Sequence, residues 1–205
     1  MFEVTIITAL FYTFLFSIAY YIGLCFYAKK IIVLEPWKLA FYITLFCLFG
    51  ISGEILVNNV WKMIFSTPLW EYRLFPTNNG DISYFFPFIW GGLGYYRYLN
   101  DITIHHFKPR QILKPGIIMG AEAIVLELAY NGFFYLLFGS YIFYYLPGNL
   151  GPLSHLSCLQ VIPFYFLVGF CTSNMINYQN RLGYSKYILF NLLFYWMVIL
   201  VIVLF

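Results

Sequence analysis

Two glutamates dominate the chemistry open to this chain. Glu54 and Glu127 both sit deep inside long apolar stretches, and each is followed four residues later by an asparagine, Asn58 and Asn131. A carboxyl group in apolar surroundings has three uses. Ionised, it holds a cation or a basic group; protonated, it donates a proton or a hydrogen bond; in either state it ties neighbouring helices together. The spacing places carboxyl and amide on one helical stripe. Glu122 is a third acidic residue in the same setting, but five residues from Glu127 it points elsewhere.

The two glutamates belong to a longer correspondence. Gly50, Glu54, Asn58 and Trp61 have spacings of four, four and three, and Ala123, Glu127, Asn131 and Phe134 repeat them later in the chain. Phe65 then matches Phe138, Trp70 matches Phe143 and Tyr72 matches Tyr145 at the same displacement. After a two-residue shortening, Gly80 matches Gly151 and Ser83 matches Ser154. This predicts a duplicated unit of helix, aromatic loop and helix, over about 46–99 and 119–170. Both copies enter from one side, so the repeat is parallel, an arrangement found in some transporters. Trp61, Trp70 and Tyr72 join the candidate site as aromatic walls, with Trp70 and Tyr72 the candidates for lining an outer pocket because they flank a charged residue in the repeated loop.

The elements that must carry these residues are helices in a bilayer. The chain has 205 residues, 62% hydrophobic and only 9% charged; a soluble domain carries roughly 25% charged residues and could not build its surface from this composition. A spanning helix needs ~20 mostly apolar residues. Six segments qualify: Val4–Ala28, Trp37–Trp61, Ser83–Leu99, Gly116–Phe138, Ser157–Ile176 and Lys186–Phe205. The expected architecture is therefore an all-α polytopic membrane protein, one domain over 1–205. Pro87 and the Gly91-Gly92-x-Gly94 run predict a kink or tilt in the third helix. The first segment lacks a basic stretch before it and is longer than the core of a signal peptide, so it is expected to be retained. Glu54 lies seven residues before Trp61, which puts it about 10 Å from that end of its helix at ~1.5 Å per residue.

Lys and Arg divide unevenly between the two sides. Lys29, Lys30, Lys38, Arg97, Lys108, Arg110, Lys114, Arg181 and Lys186 fall on one side, against Lys62 and Arg73 on the other. Basic residues are retained on the cytoplasmic side, so both termini are expected on the non-cytoplasmic side. The turn signals Thr77-Asn78-Asn79-Gly80-Asp81 and Pro147-Gly148-Asn149-Leu150-Gly151-Pro152 share that outer side. Lys108, Arg110 and Lys114 are placed to meet anionic lipid.

Several functions are excluded or disfavoured. The net charge of +3 is spread thinly, so nucleic acid is not a partner. Cys25, Cys47, Cys158 and Cys171 form no C-x-x-C pair and read as buried apolar thiols. His105-His106 and His155 lack the further ligands a metal needs. There is no Walker A sequence, G-x-S-x-G, H-E-x-x-H or G-x-G-x-x-G. No cofactor or metal is expected, and an ATP-driven role would require a separate ATPase subunit.

The first repeat resembles the ABC-transporter type IV membrane-protein family and the related vertebrate transmembrane protein 229 group. The resemblance rests on Gly50-x-x-x-Glu54, on Trp61 seven residues later, and on Ser83 preceding Ile89-Trp90-Gly91. It covers about residues 46–165. Glu127 fits the second family segment, whereas Phe143-Tyr144-Tyr145 stands where the family carries a W-D-Y-S-like stretch. The resemblance implies a permease-like role.

Three functions follow as expectations. The leading one is transport, or a transport-associated subunit. In it Glu54 and Glu127 bind a proton, cation or basic solute, Asn58 and Asn131 orient them, and the aromatic loops form the mouth. The alternative is a membrane enzyme acting on a lipid or isoprenoid, with a glutamate as general acid and aromatic rings steadying cationic intermediates. The third is an assembly protein whose carboxyl groups are interhelical glue.

Overall fold

A computed structural model describes residues 4–78, 80, 82–104, 113–184 and 186–204. His105, His106, Lys108 and Arg110 of the basic loop, and Asn79 and Asp81 of the first turn signal, lie outside the described residues. Six α-helices make up the body: α1 (Ile6–Ala28), α2 (Pro36–Phe65), α3 (Phe86–Thr103), α4 (Lys114–Phe138), α5 (Ile162–Leu182) and α6 (Lys186–Leu204). Among the described residues, four apolar helical stretches are long enough to cross a membrane: α1, α2, α4 and Leu159–Leu182, which contains α5.

Helix starts follow from proline placement. Pro36, Pro87, Pro115 and Pro163 each fall in the first turn of their helix, where the missing N–H has no intrahelical partner to lose. This corrects the expected kink at Pro87. The third helix begins at Phe86 rather than Ser83, so Pro87 opens it instead of breaking it. At the far ends, α1, α2 and α4 stop on left-handed residues: Lys29, Ser66 and Gly139.

The outside of the bundle is apolar. Phe26, Met63 and Leu136 are about four-fifths exposed, and many other large apolar side chains face outward with them. A surface of this kind suits lipid, because in water it would drive association. Inside, α2 is the central element, packing against α3, α5 and α6, while α4 packs on α5 and α1 lies against α3. Gly94 allows the α2–α3 contact. A Cβ there would stand 2.8 Å from the Tyr42 carbonyl oxygen and 2.9 Å from the Ile43 Cα.

At one end of the bundle the two long connections meet. Strand β1 (Trp70–Tyr72), from the α2–α3 connection, pairs antiparallel with β4 (Phe143–Tyr145), from the α4–α5 connection. Between them in the chain, β2 (Thr77–Asn78) and β3 (Ile82–Ser83) form a small hairpin. The β1–β4 register sets Trp70 against Tyr145, Glu71 against Tyr144 and Tyr72 against Phe143. Glu71 and Tyr144 are separated by the same displacement that relates Glu54 to Glu127. Two residues at that displacement therefore face each other at the ribbon's centre.

At the opposite end lies a buried ion pair. Arg97 is 1% exposed, and its Nε is 3.1 Å from the Asp101 carboxylate one turn along α3. Tyr42 donates to Asp101 Oδ2 at 3.0 Å, and Arg97 Nη2 is 3.5 Å from Ser173 of α5. Arg97, counted with the loop cations in the sequence, is thus a packed residue, and the pair it forms with Asp101 links α3 to α2 and α5.

Candidate functional site

The ribbon hangs over the interior from both sides, and the two asparagines hold it there. Asn58 Oδ1 accepts from the Leu69 backbone N–H at 2.8 Å, and its Nδ2 lies 3.4 Å from the Trp70 carbonyl. Asn131 Oδ1 accepts from the Ile142 N–H at 2.9 Å, and its Nδ2 donates to the Phe143 carbonyl at 2.7 Å and the Leu156 carbonyl at 3.1 Å. These bonds run to the loop backbone just before each strand and at its start. The asparagines therefore position the ribbon rather than orient the glutamates, which differs from the role expected for them. The physical reason is that a buried strand leading out of a helix has backbone groups that need partners, and an amide one turn inside the helix can serve both donor and acceptor.

With the strands fixed, alternate side chains of β1 and β4 point inward. Trp70, Tyr72, Phe143 and Tyr145 are all buried. Tyr72 donates to Glu54 Oε1 at 2.6 Å, and Tyr145 donates to Glu127 Oε1 at 2.5 Å. Burial first, and then the charge of the adjacent glutamate, hold both phenols well above their ordinary range. They remain O–H donors at any physiological pH.

The remaining partners differ. Glu54 Oε1 also accepts from Trp90 Nε1 of α3 at 2.8 Å. Gly50 makes that bond possible, because a Cβ on residue 50 would stand 2.1 Å from the Trp90 ring. Glu127 takes two further hydroxyl donors: Tyr165 on Oε1 and Ser157 on Oε2. Both oxygens of Glu127 are thus occupied. Glu54 Oε2 is buried with no hydrogen-bond partner among the described residues, and so is Trp70 Nε1.

Glu54 and Glu127 line one cavity of about 500 Å³, within electrostatic reach of each other. Its remaining walls are mainly aromatic, from Trp70 and Tyr72 through Trp90 and Tyr130 to Phe143, Tyr145 and Tyr165. The ribbon closes this cavity at its end of the bundle, because its inward side chains are packed; it is a cover rather than a mouth. Of the lining residues, only Phe16 and Ala19 of α1 and Ala129 of α4 are exposed. The surface-exposed part of the lining therefore lies on α1 and α4. Toward the ribbon α1 and α4 are joined by the Thr13–Tyr130 hydroxyl bond at 2.6 Å and by Tyr12 and Phe16 packed on Phe133.

The other expected site residues fall around this cavity. Trp61 packs on Phe65, ring centroids 4.2 Å apart, and is not part of the cavity wall. Glu122 lies within electrostatic reach of Tyr20 and Tyr96, both of which line the cavity. His155 stacks on Tyr144 at 4.2 Å and contacts the Tyr145 carbonyl through Nδ1. The four cysteines are free, and no cluster of metal-ligating side chains exists among the described residues.

Sequence reasoning did not assign Trp90, Ser157 or Tyr165 to the site. Trp90 carried a signal, the Gly50-x-x-x-Glu54 step beside Ile89-Trp90-Gly91. Ser157 and Tyr165 carried none, because in an apolar helix entrance a hydroxyl looks like any interfacial polar residue. The sequence match of Ser83 with Ser154 is not reflected in their surroundings: Ser83 is buried and donates to the Leu74 carbonyl, whereas the buried serine of the α4–α5 connection is Ser157. Comparison of the chain with family models, with curated proteins and with solved structures gives no match.

Proposed function

We propose that this chain is a six-span membrane protein that takes a lipophilic molecule from the bilayer into the cavity beneath the ribbon. There Glu54 and Glu127 act on the molecule's polar end. The observation that carries this reading is the make-up of the site: two carboxyl groups in one apolar, aromatic-walled cavity, covered by the ribbon, with its exposed lining on α1 and α4; we take the α1–α4 seam as the way in. A water-borne solute arriving from the ribbon's side would need a path through the ribbon, whereas a lipid or isoprenoid reaches the seam by diffusing in the membrane. The cavity's volume lies within the ordinary range for a small-molecule site.

Among the chemistries open to such a site, acid–base catalysis on the lipophile is the best supported. Glu127, with hydroxyl donors on both oxygens, has the partners an anion needs. Glu54, with one bare oxygen, is the group free to carry a proton to or from a ligand. Two carboxyl groups with unlike surroundings are how one site separates an acid from a base. The membrane lipids are then both solvent and source of substrate, and the uneven distribution of Lys and Arg supports a ribbon on the non-cytoplasmic side with both termini.

Lipid extracts of cells carrying the wild-type chain, Glu54→Gln or no copy test this reading. A lipid or isoprenoid species that changes with the wild type and not with Glu54→Gln is expected. Identical extracts from all three would remove the enzymatic assignment.

A permease-like role is the second reading. Its support is the equivalence of the two halves: Asn58 and Asn131, Tyr72 and Tyr145, Glu54 and Glu127 make matching bonds at one constant displacement along the chain. Parallel repeats of this kind occur in transporters, and the resemblance of the first half to the ABC-transporter type IV group points the same way, with a separate ATPase subunit as partner. Flux into proteoliposomes that Glu54→Gln and Glu127→Gln both leave unchanged would exclude it.

A further inference from the structure

We infer that the lipophile lies beneath α1, its polar end in the cavity under the ribbon and its apolar tail in a second cavity on the other flank of that helix. This inference rests on the reading of the first cavity as a site for a lipophile and adds a requirement for a long hydrocarbon chain. The second cavity, of about 760 Å³, is walled by α1, α2, α3 and α6. The two cavities share four wall residues: Thr13 and Ser17, one turn apart on α1, and Gly92 and Tyr95 on α3. None of the four is fully buried. The shared wall is thin at Gly92, where a Cβ would meet a single atom of another element within 4 Å, Thr13 Cγ2 at 3.9 Å.

The packing of α1 suits a helix that straps a chain down. Its buried residues are Ala9 and Leu24, about 22 Å apart at ~1.5 Å per residue. Between them no side chain of α1 is fully buried, and the four shared wall residues lie along this middle stretch and the face of α3 beneath it. The walls divide the ligand by chemistry. The first cavity holds both glutamates, whereas no charged residue lines the second among the described residues. The hydroxyls it borders on α1 are already used: Thr13 donates to the Ala9 carbonyl at 2.7 Å and Ser17 to the Thr13 carbonyl at 2.8 Å. Its rim is hydrocarbon, including Leu10 and Ile18 of α1 and Leu193 of α6. Such walls offer a ligand dispersion contacts and no polar partner, which selects a chain by its length.

Binding to the protein in nanodiscs, corrected for empty nanodiscs, tests the inference with three prenyl alcohols that differ in chain length: geraniol, farnesol and geranylgeraniol. The second cavity is filled in the double variant Ile18→Trp with Leu193→Trp. Both residues line that cavity and not the first, and both are about two-fifths exposed, so the larger rings need not disturb the core. Wild-type affinity is expected to rise from geraniol to geranylgeraniol. The filled variant is expected to lose about tenfold for geranylgeraniol, the scale on which a hydrophobic pocket discriminates a small apolar unit. It should hold geraniol like the wild type, which also shows that it is folded. Wild-type affinity that does not rise with length overturns the inference. So does a filled variant that binds geranylgeraniol like the wild type, the result expected if a separate membrane lipid occupies the second cavity, and so does one that loses all three alcohols equally. In those cases wild-type binding of geraniol leaves the lipophile reading standing. Absence of wild-type binding by all three overturns both.

Discussion

Asn58 and Asn131, at equivalent places in the two halves, each accept a backbone N–H eleven residues further along the chain, from Leu69 and Ile142. Through that bond, and the matching contact of each Nδ2 with the carbonyl of the first strand residue, the two connections are held in a common ribbon. The same displacement relates the left-handed helix stops at Ser66 and Gly139, whose N–H groups close on the Lys62 and Tyr135 carbonyls. The site is thus built from backbone outward: helix end, amide clamp, strand, inward phenol, carboxyl.

Removing a clamp should loosen the ribbon more than it disturbs the helices. Asn131→Ala leaves the Ile142 N–H and the Phe143 and Leu156 carbonyls without their amide partner, all close to the buried ribbon. At ~1 kcal/mol or more for each buried group left bare, the loss is about 3 kcal/mol. Asn131→Asp keeps the acceptor but turns an oxygen toward two carbonyls, and should fall between Ala and wild type only if the new carboxyl is protonated. Thermal unfolding in detergent measures both; a melting temperature for Asn131→Ala equal to that of the wild type would show that the ribbon does not depend on the clamp.

Much of this frame was legible in the sequence, and the part that was not has a physical explanation. The apolar runs announce the helices, and matching the two halves at a fixed displacement brings out Glu54, Glu127 and the aromatic strands, because polar residues in a lipid-solvated segment stand out. The asparagines were legible as residues but not as clamps, since their partners are backbone groups further along the chain that no side-chain pattern marks. Tyr165 and Ser157 were invisible for a related reason. Their contact with Glu127 depends on how α5 packs against α4, and that is set by shape rather than by any spacing in the chain.

Gly50 and Trp90 should behave as one unit. In Gly50→Ala the new methyl group collides with the indole, so Trp90 must move and its bond to Glu54 Oε1 is lost. A cost of about 1–3 kcal/mol is expected, the usual range for overpacking. Pairing it with Trp90→Phe should cost less than the sum of the two single changes, because the smaller ring leaves space for the methyl. Thermal melts of the four proteins give the coupling directly. Additive losses would mean that Gly50 is needed for something other than Trp90.

The two phenols should differ in importance despite matching positions. Tyr72→Phe leaves Glu54 with Trp90 as its donor, whereas Tyr145→Phe leaves Glu127 with Tyr165 and Ser157. A hydrogen bond to a charged group contributes about 1.5–3 kcal/mol, and less where other donors can take up the load. Tyr72→Phe is therefore expected to destabilise more, by about 1 kcal/mol beyond Tyr145→Phe. Equal melting temperatures for the two variants would argue that the glutamates are held alike and that the bare oxygen on Glu54 has no consequence.

Arg97 and Asp101 offer a test far from the ribbon, where the question is whether a buried charge pair holds the bundle or merely survives in it. Arg97 is almost wholly enclosed and bonded to Asp101, which Tyr42 also contacts, so removing either partner leaves a charge with little water to receive it. Arg97→Met and Asp101→Asn are each expected to cost about 3–5 kcal/mol, the range for breaking a buried pair. The double variant Arg97→Met with Asp101→Leu removes both charges together with their desolvation, and should be more stable than either single change. It still leaves the Tyr42 hydroxyl seeking a partner, so it should not exceed the wild type unless Tyr42→Phe is added. Unfolding of the set in one detergent orders them. A double variant less stable than both singles would mean that the pair is worth more than its desolvation, and that Arg97 fastens α3 to α5 through Ser173 with a strength its 3.5 Å contact does not suggest.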